Sequence, residues 1–92
     1  MQLEDKDIDY LSFENMTYIL SEIFKGNKPK IKHFKGDKYE VLNIVEDAIT
    51  GEAKIMYRKI KTDDLFVRPI ENFFEVIKNN SKENILRFKY IK

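Results

Sequence analysis

The sequence predicts an α+β fold, with one N-terminal helix packed on a small, strongly bent antiparallel sheet or partial β-barrel. Apolar residues recur at helical spacing over 12–24. Over 31–68 they form four strand-like runs separated by turn residues. The chain has only 92 residues, so it holds one core. A chain this short buries only about 60–65% of the surface its unfolded form exposes. Its seven Phe and five Tyr therefore matter, because each buries a large apolar area.

In the helix, Met16, Ile19, Leu20 and Ile23 stand at i, i+3, i+4 and i+7 and make one apolar stripe. The expected span is Ser12–Phe24. Ser12, or alternatively Asp9, accepts a free backbone N–H at its start, and Gly26 closes its end in a left-handed conformation. The acidic stretch Leu3–Leu11 reads as a mobile lead-in. Gly26-Asn27-Lys28-Pro29 then ends the helix.

The period changes after Pro29. A short strand is expected at Ile31–Phe34 and a turn at Lys35-Gly36-Asp37. Lys38–Glu46 and Ala53–Ile60 follow as longer strands around the loop Asp47–Glu52, where Gly51 is free to take positive φ. Thr62-Asp63-Asp64 closes a second hairpin into Leu65–Arg68. Tyr39 and Val41 alternate one way and Leu42 and Ile44 the other, which predicts apolar residues on both faces of the sheet. Pro69 suits the first position of a short helical turn through Phe74. A polar bend at Asn79–Asn84 precedes a last strand, Ile85–Ile91. Core candidates are Met16, Ile19, Leu20, Ile23, Tyr39, Val41, Leu42, Ile44, Ile55, Tyr57, Val67, Phe73 and Phe88.

Composition removes several functions. Without cysteine there are no disulfides, thiolate nucleophiles or cysteine zinc sites. With one histidine there is no His-based metal cage, and no cofactor is expected. No apolar run approaches the ~20 residues of a membrane span. The acidic start is not a secretory signal. These features predict a soluble, cytoplasmic protein. The formal net charge of +1 is unevenly spread. Six acids against one lysine leave residues 1–24 at −5, whereas six lysines against Asp37 and Glu40 bring residues 25–40 to +4. Adjacent carboxylates such as Glu46/Asp47 and Asp63/Asp64 point to opposite faces in a strand, or serve a solvated turn. They make no acid/base couple, and catalysis is not expected.

Several motifs occur in order: Lys32-His33-Phe34-Lys35-Gly36-Asp37-Lys38-Tyr39-Glu40-Val41, Thr50-Gly51-Glu52, Tyr57-Arg58, Val67-Arg68-Pro69 with Phe73, and Arg87-Phe88-Lys89-Tyr90-Ile91. Together they resemble the bacterial family known as domain of unknown function 1653, over about residues 31–91. Phe66 stands where that family has Trp. The turn Lys61-Thr62-Asp63-Asp64 is shorter and lacks its glycine. The acidic helix before Lys28 lies outside the family pattern. The resemblance implies a small β-rich fold and no established activity, and the bent sheet or partial barrel read from the residues is SH3-like. One domain, 1–92, thus divides into a lead-in and helix (1–27) and a β core (28–92).

Within that core, His33, Arg58 and Arg68 stand beside aromatic residues. Guanidinium is a planar fork suited to carboxylate or phosphate oxygens. If the sheet curls, these three converge on one face with Tyr39 or Tyr57 as a stacking platform, and Lys35 and Phe66 complete the set. Such a face suits a small anionic ligand such as a nucleotide, or nucleic acid. The structural alternative is that His33 is a hydrogen-bonded structural residue and that an arginine pairs internally with Glu52 or Glu71. The lysines from Lys25 to Lys38 read either as a nucleic-acid footprint or as a solvated strand edge protected from aggregation. Two further expectations concern proteins. The amphipathic helix 12–24 would make the chain a protein-interaction module, carried by a phage or mobile element and inhibiting a host protein. The strand 85–91 would pair with a second copy.

Overall fold

Two helices and seven strands form in a computed structural model that describes residues 5–78 and 84–91, with side chains from residue 11 onward. In chain order they are α1 (Asp5–Phe24), β1 (Lys30–His33), β2 (Lys38–Glu46), β3 (Ala53–Lys59), β4 (Leu65–Pro69), α2 (Ile70–Phe73), β5 (Val76–Lys78), β6 (Asn84–Leu86) and β7 (Phe88–Ile91). The expected bend at Asn79–Asn84 lies almost wholly outside the described residues. The last strand is interrupted at Arg87, giving β6 and β7, and β6 pairs with β5, a strand the sequence pattern does not announce.

The main sheet is antiparallel, in the order β4-β3-β2-β1-β7. β4 and β7 do not pair, so the sheet is open and not a closed barrel. It is nevertheless strongly bent. Tyr57 of β3 and Phe88 of β7 lie three strand spacings apart, about 14 Å on a flat sheet. Their ring centres are 5.2 Å apart. Side-chain reach alone does not close that gap, and the sheet curls around the face that carries both rings.

A bulge at Leu42 shapes that face. Val41 pairs with Tyr57, but Asn43 pairs with Met56 and Ile44 with Ile55. The extra residue reverses the alternation, so Val41 and Ile44 fall on one side with Ile55 and Tyr57. Apolar residues do occur on both faces, but the expected split is corrected, because Ile44 joins Val41 on the core side. One face holds the core, and the other carries Lys54, Met56, Arg58, Leu65 and Val67. Val67, expected inside, is 54% exposed for this reason.

The buried core is Ile19, Ile31, Val41, Ile55, Tyr57, Phe73 and Phe88, with Ile23, Tyr39 and Ile44 packed against it. Ile31 was not among the expected core residues. Met16, Leu20 and Leu42, which were, are only half-buried. α1 turns Asn15 and Ile19 inward instead. Asn15 Nδ2 donates to the Phe88 carbonyl at 2.8 Å, and Asn15 Oδ1 accepts the Tyr90 N–H at 2.9 Å. One amide side chain thus stands in for a missing neighbour strand along β7.

α1 begins at Asp5, seven residues before the expected Ser12, so neither Ser12 nor Asp9 caps it. Its end is as expected: Gly26 has φ 85°, with Gly26 N–H to Ile23 O and Asn27 N–H to Glu22 O, both 2.9 Å. These are the paired closing bonds of a glycine-terminated helix. Among the described residues no helix is long and apolar enough to cross a membrane.

Candidate functional site

The curl brings five of the expected site residues to one face and sends one to the other. Cross-strand partners share a face, so the pairs Ile31↔Tyr39, His33↔Phe88 and Tyr57↔Phe66 place His33, Tyr39, Tyr57 and Phe66 on the core side. Arg68, paired with Ile55, joins them. Arg58 pairs with Glu40 and Leu65 and lies on the reverse face. There it bonds Glu40 at 3.4 Å and also Asp63. The expected convergence of His33, Arg58 and Arg68 is thus corrected: strand alternation separates Arg58 from the other two, and acids neutralise it.

Arg68 is held differently. Its Nε donates to the Tyr57 hydroxyl at 3.0 Å, Nη1 donates to Asn72 Oδ1, and the guanidinium lies 5.6 Å from the centre of the Phe88 ring. All three partners are uncharged. Among the described residues no carboxylate pairs with Arg68. Asn72, supplied by α2, fixes the fork but has no spacing signal that would have singled it out.

His33 sits beside this group on β1, its ring 5.0 Å from Phe88 and 6.5 Å from Tyr39. Its Nδ1 accepts the Lys35 backbone N–H at 3.1 Å, within the turn that Gly36 closes at φ 112°. An accepting Nδ1 assigns the proton of the neutral ring to Nε2. Burial first, then the nearby charges of Arg68, Arg87 and Lys35, lowers the imidazole pKa below its ordinary 6.5, against the opposing pull of Asp37. The structural reading of His33 as a hydrogen-bonded residue is correct, and its electrostatic surroundings are net cationic.

The aromatic residues divide by role. Tyr57 is buried, with its hydroxyl committed to Arg68, so it anchors rather than stacks. Phe66 lies on Tyr57, ring centres 5.6 Å apart and nearly parallel, and presents its other side to solvent. Tyr39 meets Tyr57, Phe66 and Phe88 edge-on, and burial raises its hydroxyl pKa above 10.0. Lys35 is exposed on the turn, its Nζ 5.8 Å from the Phe34 ring. Arg87 bonds Glu75 at 3.2 Å, tying the kink before β7 to the end of α2, while its Nε is buried without a partner among the described residues.

Lys30, Lys32 and Lys38 of the lysine run land on the reverse face. Lys32 is in register with both Lys38 and Lys89, and all three are exposed. On β7, the strand expected to pair with a second copy, the Phe88 carbonyl and Tyr90 amide are already bonded to Asn15. Among the described residues no cluster of three His, Cys, Asp or Glu side chains has the arrangement of a metal site.

Residues 30–90 match the family model described as Protein of unknown function (DUF1653). The match begins at the first residue of β1, so α1 lies before it. The fold is similar to that in a crystal structure of a DUF1653 protein from Bordetella bronchiseptica. The TM-score is 0.64 at 19% identity, covering 75% of this chain and 91% of that one. No curated protein matches the chain.

Proposed function

The chain belongs to the family of proteins of unknown function DUF1653, and on that premise we propose that it is a binding module, without catalysis, that holds a small anionic ligand of the nucleotide type on the curled face of its sheet. The observation that carries this reading is the state of Arg68: a half-buried guanidinium fixed by the Tyr57 hydroxyl and the Asn72 amide, with no carboxylate pairing it among the described residues. A guanidinium that is oriented but not neutralised is suited to bidentate contact with phosphate or carboxylate oxygens. His33 adds a donor at Nε2, Lys35 adds a flexible charge at the rim, and Phe66 adds an exposed ring for a base. Arg58 and Tyr57 leave the contact set for the reasons given above.

Thermal shift at low salt tests this, with mononucleotides, cyclic nucleotides, short oligonucleotides and inorganic phosphate as probes. A ligand of the native state at a hundred times its Kd adds about 2.7 kcal/mol of stability, which raises the midpoint of a domain this size by many degrees. The expected result is a shift with mononucleotides that Arg68→Gln removes. No shift with any probe would overturn the reading.

A second reading has its own observation. Phe13 and Phe24 are exposed on α1, and an open groove of about 380 Å³ runs between Phe13, Thr17, Tyr18 and Lys25. α1 lies outside the family match, which suits a protein-contact helix added to the family core. Deleting α1 would also remove Asn15 from β7, so the informative variants are Phe13→Ser and Phe24→Ser. Loss of a defined host partner, with the melting midpoint unchanged, supports this reading.

A further inference from the structure

The two outer strands of the sheet are treated differently. β7 has its outward carbonyl and amide taken up by Asn15. Among the described residues β4 has no such cover: Leu65 is 62% exposed, Phe66 40% and Val67 more than half. An exposed apolar outer strand is a template for a further strand.

The backbone of β4 specifies how that strand would dock. The Lys59 N–H donates to the Asp64 carbonyl at 2.9 Å, and Lys59 is followed backwards along β3 by the pairs Arg58↔Leu65, Tyr57↔Phe66 and Met56↔Val67. Antiparallel ladders alternate between hydrogen-bonded and non-hydrogen-bonded pairs. Asp64, Phe66 and Arg68 therefore turn their backbone groups toward β3, and Leu65 and Val67 turn theirs outward.

We propose that β4 pairs antiparallel with β4 of a second copy of this chain, about a two-fold axis at Phe66, joining the two five-stranded sheets edge to edge. In this register Leu65 and Val67 of one copy exchange both backbone bonds with Val67 and Leu65 of the other, four in all, and every outward group of the two residues is used. Phe66 faces Phe66 in a non-hydrogen-bonded pair, the closer of the two kinds. Asp64 of one copy faces Arg68 of the other, and opposite charges directly across a strand pair are favourable. Among the described residues Arg68 Nη2 has no hydrogen-bond partner, so it remains able to receive that carboxylate. A register centred on Val67 would set Asp64 against Ile70 and lose the charge pair. The low net charge of +1 opposes association little. This inference rests on the backbone pattern and side-chain order of β4, and it competes with the ligand reading for Arg68 and Phe66.

The experiment is sedimentation equilibrium of the full chain across a concentration series, with wild type, Val67→Pro and Leu65→Lys. Wild type is expected to pass from 11.1 kDa to twice that mass. Val67→Pro removes an outward N–H that β3 does not use, so it should keep the native circular dichroism spectrum and stay at the monomer mass. Leu65→Lys, which alters no backbone group, should weaken association at least tenfold, and it decides the matter if Val67→Pro fails to fold. In wild type the Leu65 and Val67 amides should exchange more slowly as concentration rises. A wild type that stays monomeric at millimolar concentration, or variants that dimerise as wild type does, would overturn the proposal. A ligand shift without dimerisation, or the reverse, would separate this inference from the ligand reading.

Discussion

The Arg68 guanidinium lies 5.6 Å from the centre of the Phe88 ring, and that contact joins the two outer strands of an open sheet. On a flat sheet β4 and β7 would stand four spacings apart, about 19 Å. Here side chains do what backbone pairing does in a closed barrel. Phe73 stacks on the same ring at 4.5 Å, so Phe88 is the point where β7, α2 and β4 meet.

Phe88→Ala is expected to be among the most costly single changes to the core. Large-to-small replacement of a buried phenylalanine costs about 3–5 kcal/mol, from lost transfer energy and the cavity left behind. Urea denaturation of wild type and variant measures it. Phe88→Leu should cost markedly less.

Asn15→Leu keeps a side chain of similar size on the helix face but removes the bonds that Asn15 makes to the Phe88 carbonyl and the Tyr90 amide. Each buried backbone group left unpaired costs about 1–3 kcal/mol. A loss of at least about 2 kcal/mol is expected by denaturant titration, with faster exchange of the Tyr90 amide.

His33 makes stability depend on pH in a set direction. Its folded pKa lies below 6.5, so near and below that value the unfolded chain binds more protons than the folded one. The stability it contributes is present above pH 6.5 and is lost as pH falls through the folded pKa. The melting midpoint should decline over that window. His33→Asn, whose Oδ1 can still accept the Lys35 amide, should flatten the decline.

Asp47 organises the β2–β3 loop. Its Oδ1 accepts the backbone amides of Thr50 and Ile49 at 3.0 and 2.8 Å, and Oδ2 meets Lys54 at 3.2 Å. These bonds, the Thr50 amide first, lower its pKa from 3.8 to about 2. A depressed carboxyl pKa contributes stability above pH 3.8 that is lost as pH falls toward 2. NMR titration of the carboxyl should find the low midpoint, and Asp47→Asn should remove this dependence.

The two arginines once grouped together should behave oppositely. Arg68→Gln is expected to remove nucleotide binding. Arg58→Gln, on the reverse face, should leave binding unchanged and alter stability little, since its bridges to Glu40 and Asp63 are partly exposed. Isothermal titration of both variants tests the pair.

Several elements were legible in the chain itself. Helical spacing marked α1, the β-rich runs and turn glycines marked β1 to β4, and Gly26, Gly36 and Gly51 stand where positive φ was needed. Val41, Ile55, Tyr57, Phe73 and Phe88 were identified as core from hydropathy alone. Asn15 was not, because a pattern of apolar residues has no place for a polar side chain whose partners lie more than seventy positions away. β5 was missed because three residues carry too little periodicity, and the Leu42 bulge because an extra residue looks like a two-faced strand.

By itself the sequence determined that most of α1 is helix and that β1 to β4 are strands, since those depend on neighbours within a few positions. Only the tertiary structure decided which side chains share a face. That choice depends on one bulge in β2 and on the curl that carries β4 toward β7. It put Arg68 beside His33 with neutral partners, and put Arg58 behind the sheet among carboxylates. Period-two alternation makes such an assignment all or nothing: a shift of one residue moves a side chain from the core to water.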